Sequence, residues 1–254
     1  MPLTDRELIE KYKIKPTDKI LDVGGSMKQH WDLPIDTLVD LIRPEEAPYG
    51  KSKLLAKHFI RLDVTKEKLP FRDKEFDFVL CTHTLEDLYN PFLIIDEMSR
   101  VGKRGYIATP SFGSDITYSH YNLTDWLTGG RRVPGHAHHK WLFYIKKGQI
   151  QILPKNYSLL ATTEFQVVNW KGRDELQYYW ENSINYSEIK DLSIHKLINL
   201  YREWIKRNND RITKGRTLVV IDNPYFYLKE WVKLILSKCL GRKTVSKNII
   251  NKVS

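Results

Sequence analysis

The sequence predicts an α/β protein: a doubly wound, mostly parallel sheet, then a β-hairpin and a helical extension. Three observations predict it. Short apolar runs alternate with segments of helical periodicity through the first half, as in repeated β-α units. The first run ends in Gly24-Gly25, a tight turn out of a buried strand. The chain has 254 residues, 41% hydrophobic and 28% charged, which is enough for one α/β domain with a full core and excludes a disordered or fibrous chain.

Taken in order, Lys19 to Val23 reads as the first strand, Thr37 to Asp40 as the second and His58 to Asp63 as the third. Arg43 to Lys57 reads as a short, mostly polar helix. Phe76 to Cys81 is the fourth strand, and apolar residues at 85, 88, 92, 95 and 98 predict a helix from Leu85 to Val101. Tyr106 to Pro110 is the fifth strand. Residues 111–140, rich in Gly, Ser, His, Tyr and Arg, read as an irregular cap. A hairpin follows, from Trp141 to Tyr144 and from Gln149 to Leu153 across Lys147-Gly148. Leu159 to Trp170 reads as a strand and Ile189 to Asn208 as an amphipathic helix with Leu192, His195, Leu197, Ile198, Tyr201 and Ile205 on one face. Thr217 to Ile221 reads as a last strand and Tyr225 to Leu240 as a last helix.

Charge divides the chain. The net charge is +10, and residues 225–254 hold seven basic residues against one acid, Glu230. The basic character therefore belongs to an appendage, and the body does not read as a nucleic-acid binder. The expected division is residues 1–222 as one domain and 223–254 as a basic amphipathic tail. In that tail Leu228, Trp231, Val232, Ile235 and Cys239 share a face, the pattern of a helix that lies on an anionic membrane or simply covers its own sheet. With only Cys81 and Cys239, no disulfide framework and no cysteine zinc site can form. The polar N-terminus lacks a signal-peptide core and no apolar run spans a bilayer, so the expected compartment is the cytoplasm, with peripheral membrane contact through the tail.

Ligands of such sheets bind beyond the carboxyl ends of the strands, where the strand order reverses. The residues at those ends carry the functional reading. Asp22-Val23-Gly24-Gly25-Ser26 follows the first strand, and small residues there let a backbone turn approach a ligand closely. Asp40 ends the second strand at a spacing that suits a carboxylate on a ribose diol. Asp63 and Val64 follow the third strand, Thr82-His83-Thr84 and Glu86-Asp87 the fourth, and Thr109-Pro110-Ser111 the fifth.

Ordered in this way, these motifs resemble the class I S-adenosylmethionine-dependent methyltransferases, a Rossmann-like family, from about Lys19 to Trp141. The resemblance is strongest to a type 11-like bacterial branch often associated with surface-polysaccharide and small-molecule modification. Ile20-Leu21-Asp22-Val23-Gly24-Gly25 resembles the family's glycine-rich motif, Asp40 its ribose-binding acid, and Asp63 with Val64 its adenine-side residues. Phe76 to Glu86 resembles its fourth-strand signature, which includes Thr82, and Arg100 to Ser111 its run into the fifth strand. The resemblance implies S-adenosylmethionine as cofactor, held by Asp22, Gly24, Gly25, Ser26, Asp40, Asp63, Val64 and Thr82. The chain departs from the pattern in two places. Ser26 and Lys28 stand in the second and third glycine slots, and Asp87 stands where the family has a histidine, so no catalytic duty carries over to that slot.

The loop Gly135-His136-Ala137-His138-His139-Lys140 offers proton acceptors on the expected acceptor side. His139 is the first candidate to take the acceptor's proton, and His83 the second. No metal site is expected from this loop, because the sequence supplies neither cysteine nor a neighbouring carboxylate. Asp222-Asn223-Pro224-Tyr225 approximates the motif of methyltransferases acting on nucleobase amines, but the slot that motif needs is already filled after the fourth strand. Tyr178-Tyr179-Trp180, Trp170 and Tyr186 read as core before they read as a stacking platform. The expected activity is methyl transfer to a small hydroxyl or amine, with a sugar of a surface glycan as the acceptor class. The alternatives are a nucleic-acid methyltransferase and a non-catalytic protein of the same fold.

Overall fold

The computed structural model describes residues 3–48, 51–118, 134–160, 174–190 and 193–208, with the single positions 167, 169, 210, 232 and 235. The main sheet holds β1 (Ile20–Val23), β2 (Ile35–Asp40), β3 (His58–Arg61), β4 (Phe78–Thr82), β5 (Arg104–Pro110) and β8 (Glu175–Glu181), in the order β3-β2-β1-β4-β5-β8. The first five are parallel, and β8 closes the edge antiparallel to β5, from Arg104 opposite Glu181 to Pro110 opposite Glu175. A second sheet of three strands joins β6 (Trp141–Lys146), β7 (Gln149–Pro154) and β9 (Tyr186–Glu188). Its hairpin turns at Lys147-Gly148, both at positive φ, as two-residue hairpins require.

Alternate residues of the strands divide two apolar layers. Leu21, Val23, Val79, Cys81 and Ile107 face α2 (Pro91–Val101) and the small sheet, packing with Ile94, Ile95, Met98, Ile150 and Ile152. Ile20, Leu38, Phe78, Leu80, Tyr106 and Ala108 face the opposite way, against Leu8 of α1 (Asp5–Tyr12), Ile14, Leu33 and Ala56. Helices were expected on both faces. On the α1 side, among the described residues, 24–34, 43–48 and 51–57 cover the sheet without a crossover helix. The helix expected over Arg43 to Lys57 is a single 3-10 turn, Pro44–Glu46. Gln29 explains the irregular stretch after it, since its amide bonds Ser52 Oγ, the Lys53 carbonyl and the Leu55 N–H, each at 2.8 Å.

The helix expected from Leu85 starts at Pro91, with Asn90 as its cap accepting from the Phe92 N–H at 3.2 Å. Proline keeps the preceding residue out of helical geometry, so Leu85–Asp87 forms a separate 3-10 turn. The cap segment opens with α3 (Phe112–Ile116), residues 119–133 lie outside the described residues, and 134–140 form an irregular loop. The strand expected at Leu159 begins instead as a helical turn, α4 (Tyr157–Leu160), and only a bridge at Asn169 is strand-like among the described residues. In α5 (Ile194–Arg207), Leu197 and Tyr201 are buried with Trp204 beside them, whereas His195 is exposed and does not share their face. Trp180 is buried and Tyr179 stacks on Tyr12 at 4.5 Å, as the core reading of these aromatics expected. Trp170, Thr217 to Ile221, the Asp222 to Tyr225 motif and the tail lie outside the described residues, apart from exposed Val232 and Ile235. No helix among the described residues is long and apolar enough to cross a membrane.

Candidate functional site

The strand order reverses between β1 and β4, which places their carboxyl ends side by side. Gly24 leaves β1 at φ +78°, and a Cβ there would lie 2.3 Å from the Thr84 side chain. A Cβ on Gly25 would lie 1.9 Å from Asp22 Oδ2. The two glycines are therefore required by packing: Thr84 and Asp22 fill the space that side chains would need. Asp40 accepts from the Ser26 N–H at 3.0 Å through Oδ2 and from the Ile42 N–H at 3.3 Å through Oδ1. The turn after β1 and the end of β2 are thus joined through the carboxylate expected to meet a ribose. Lys28 is exposed and takes up no space inside the turn.

Polar groups here retain unused hydrogen-bonding capacity. Asp22 Oδ1 and Ser26 Oγ are buried without a hydrogen-bond partner. Burial pushes the Asp22 carboxyl up to about 6, with Asp40 and Asp5 adding to the effect and His30 opposing it. His30 is itself held by Asp5 at 2.5 Å. At the end of β3, Asp63 closes its own turn, accepting from Thr65 N–H and Oγ1 at 3.1 and 2.5 Å and pairing with Lys66 at 2.9 Å. Those bonds hold its carboxyl down at about 2. Val64 is buried in the α2-side core, and half-buried Thr82 ends β4.

Beyond β4, His83 adopts positive φ, 53°, with Nε2 3.1 Å from Glu175 and Nδ1 3.5 Å from Glu86. Burial lowers the affinity of its ring for a proton, but the two carboxylates outweigh that and raise it to about 9. That direction favours the protonated ring at neutral pH, and His83 would have to release this proton before acting as the second candidate base. Glu86 is fully buried, and neither of its oxygens has a hydrogen-bond partner.

Across from this turn, the loop 134–140 is tied to β4's end by the Lys140 N–H on the Glu86 carbonyl, at 2.7 Å. His139 is buried, with Nδ1 2.9 Å from both oxygens of Asp115. Donation of the Nδ1 proton to that carboxylate leaves the lone pair on Nε2. Asp115 is buried as well, and Lys155 approaches it to 3.4 Å. Burial opposes its ionisation, but the His139 hydrogen bond and the Lys155 charge overcome this and hold the carboxyl below its ordinary range. Burial also lowers the Lys155 ammonium. Lys155 further donates to the carbonyls of Pro134 and His136, and Tyr157 to those of Ala137 and His139. One ring nitrogen each of His136, His138 and His139 lies within 4.8 Å of the others. Beside α3, a groove of about 480 Å³ is lined by Ser111, Phe112, Tyr144, Leu176, Trp204 and Arg207.

Sequence reasoning missed Asp115, Lys155 and Glu175, and placed Glu86 at the end of the fourth strand without giving it a role. Asp115 and Lys155 flank the histidine loop but lie far from it in sequence. The available signal was Gly135, whose φ of +63° and close approach to Asp115 only a glycine accommodates.

Residues 38–108 match the family described as "Methyltransferase domain". An uncharacterised protein of Methanocaldococcus jannaschii is 46% identical over 55 residues, 21% of this chain, and the chain spans only 27% of that relative's length. Among solved structures, a SAM-dependent methyltransferase from Aquifex aeolicus is 22% identical with a TM-score of 0.33, covering 43% of this chain and 66% of its own. An S-adenosylmethionine-dependent methyltransferase from Mesorhizobium loti is 12% identical with a TM-score of 0.33, covering 59% and 63%.

Proposed function

We propose that this chain, which carries a methyltransferase domain of the class I S-adenosylmethionine-dependent family, transfers a methyl group to an oxygen or nitrogen of a small-molecule acceptor. One observation carries the reading: the Gly24-Gly25 turn packs on Thr84 at the point of strand reversal, and Asp40 is bonded to the same turn. The unpartnered Asp22 Oδ1 and Ser26 Oγ fit a polar ligand seated there. A carboxylate has about four acceptor positions, so Asp40 can take ribose hydroxyls on those that Ser26 and Ile42 leave. Gly24, Gly25 and Ser26 offer backbone to the rest of the cofactor, with Asp22 beneath them, Asp63 and Val64 on the adenine side, and Thr82 at the end of β4. The cofactor, when bound, supplies an electrophilic methyl on a sulfonium sulfur.

The protein's part is mainly alignment and exclusion of water. His139, oriented by Asp115, presents the Nε2 lone pair that activates the acceptor. The groove beside α3 falls in the size range of small-ligand sites, and its aromatic walls fit the apolar face of a sugar ring. A sugar hydroxyl is the acceptor class we favour. Calorimetry with S-adenosylmethionine and its demethylated product tests the reading. Binding of both, weakened in Asp40→Ala, is expected. Failure of the wild-type protein to bind either would leave a non-catalytic protein of this fold.

A further inference from the structure

We propose that His136, His138 and His139 form a binding site for a divalent transition metal of the zinc type, with an open coordination position on the acceptor side. The sequence offers no carboxylate beside these histidines, but folding brings two. Asp115, nearly fully buried, accepts from Nδ1 of His139 at 2.9 Å, and Asp87 lies 3.7 Å from Nε2 of His138, close enough to pair with its charge but beyond hydrogen-bond reach. A carboxylate on the far nitrogen of an imidazole is the usual outer partner of a metal-bound histidine, since it fixes the tautomer and raises the basicity of the remaining nitrogen.

The three rings already face one another. Their centroids are 4.5 to 5.2 Å apart, and one nitrogen of each lies within 4.8 Å of the others. Zinc-type ions take imidazole nitrogens at about 2.0–2.1 Å, so small side-chain rotations bring the three onto one ion. The backbone beneath them is fixed before any ion arrives, since Lys155 and Tyr157 bond the carbonyls of Pro134, His136, Ala137 and His139. Three protein nitrogens and a free position are the pattern of catalytic zinc sites, and a set of three imidazoles favours zinc, copper, iron or nickel over magnesium or calcium. The use of the open position rests on the methyl-transfer reading: an acceptor hydroxyl bound there would ionise more readily. The lone pair of Nε2 on His139 would then be committed to the ion, and the acceptor's proton would pass to solvent water as its oxygen binds the metal and takes the methyl group.

The test is metal titration of the purified full chain after chelator treatment, with Zn²⁺ by calorimetry and Co²⁺ by visible absorption. The expected result is about one ion per chain with the absorption of a four- or five-coordinate Co²⁺ centre. Asp115→Asn should weaken binding about 10–100-fold, and His138→Ala, at an exposed position, by more than that. Substoichiometric uptake by the wild-type chain, or unchanged uptake by a folded His138→Ala variant, overturns the proposal. S-adenosylmethionine calorimetry on the metal-free protein, run alongside, reports separately on the methyltransferase reading.

Discussion

The two sides of the strand-reversal point are built differently. On the β1–β2 side the structure is local. Gly24, Gly25, Ser26 and Asp40 lie within the parallel β1–β2 unit, tied by the Gly24 N–H on the Val39 carbonyl and by the Asp40 carboxylate on the Ser26 N–H. On the β4–β5 side it is assembled from distant segments. His83 meets Glu175, His139 meets Asp115, and Asp115 meets Lys155; His139, Asp115 and Lys155 are buried, while His83 is partly exposed. The hydrogen bonds of the first come from a short stretch of chain, although Thr84 packs on Gly24 from outside it, whereas those of the second need distant segments brought together. Damage to the second side should therefore be felt as lost stability, and damage to the first as lost affinity.

The largest effect that sharpens this contrast is expected from Lys155→Met. It leaves Asp115 buried without its cation, and breaking one partner of a buried pair costs about 3–5 kcal/mol. Denaturant unfolding measures it, and a loss under 1 kcal/mol would mean that His139 alone satisfies the carboxylate. Asp22→Asn comes next, with the opposite sign. Because the folded protein holds Asp22 at about 6, above the ordinary carboxylate value of 3.8, its contribution to stability is complete in acid and is lost as pH rises through 6. The permanently neutral variant should thus gain on wild type between about pH 3 and pH 7, by about 3 kcal/mol in all, and the gap should be constant above pH 7. A gap that does not change with pH would show that burial does not raise this carboxyl.

Asp40→Ala should weaken cofactor binding by about 1.5–3 kcal/mol while also removing the acceptor of the Ser26 and Ile42 N–H groups. Asp40→Asn retains one acceptor oxygen and should recover most of the stability but little of the affinity. Equal affinity in all three proteins would remove Asp40 from the site. The smallest effect is expected from His83→Gln. His83 is partly exposed and its proton affinity is raised to about 9, so its stabilising contribution is complete below about pH 6 and is lost as pH rises through 9. The variant should be less stable than wild type at neutral pH and converge on it above pH 9 in thermal melts.

This division also explains what the sequence made legible. The apolar runs of β1, β2 and β4, the Gly24-Gly25 turn, Asp40 and the Lys147-Gly148 hairpin are local patterns whose physics lies within a few residues. Asp115 sits in a segment without periodicity, and Lys155 follows a strand like any solvent-facing lysine. Nothing in their neighbourhoods reveals that each is buried against the other. The missing helix after β2 belongs to the same class, because one glutamine from another loop, Gln29, supplies the hydrogen bonds that would otherwise have favoured a helix. Asn90-Pro91 was the legible exception after β4: the helix start it marks was there to be read against the apolar spacing from Leu85.

The antiparallel edge has a consequence for how the chain is made. β5 is flanked on its outer side only by β8, and Tyr12 of α1 stacks on Tyr179 of that same strand. On a ribosome, Pro110 emerges well before Glu175–Glu181. At about 5–20 residues per second, the outer edge of a nearly complete sheet stays unpaired for several seconds. An open edge is a template for pairing with another nascent chain, and the arginine at its start and the proline at its end only partly blunt it. Translation paused within that interval should therefore yield more aggregate than translation paused after Glu181.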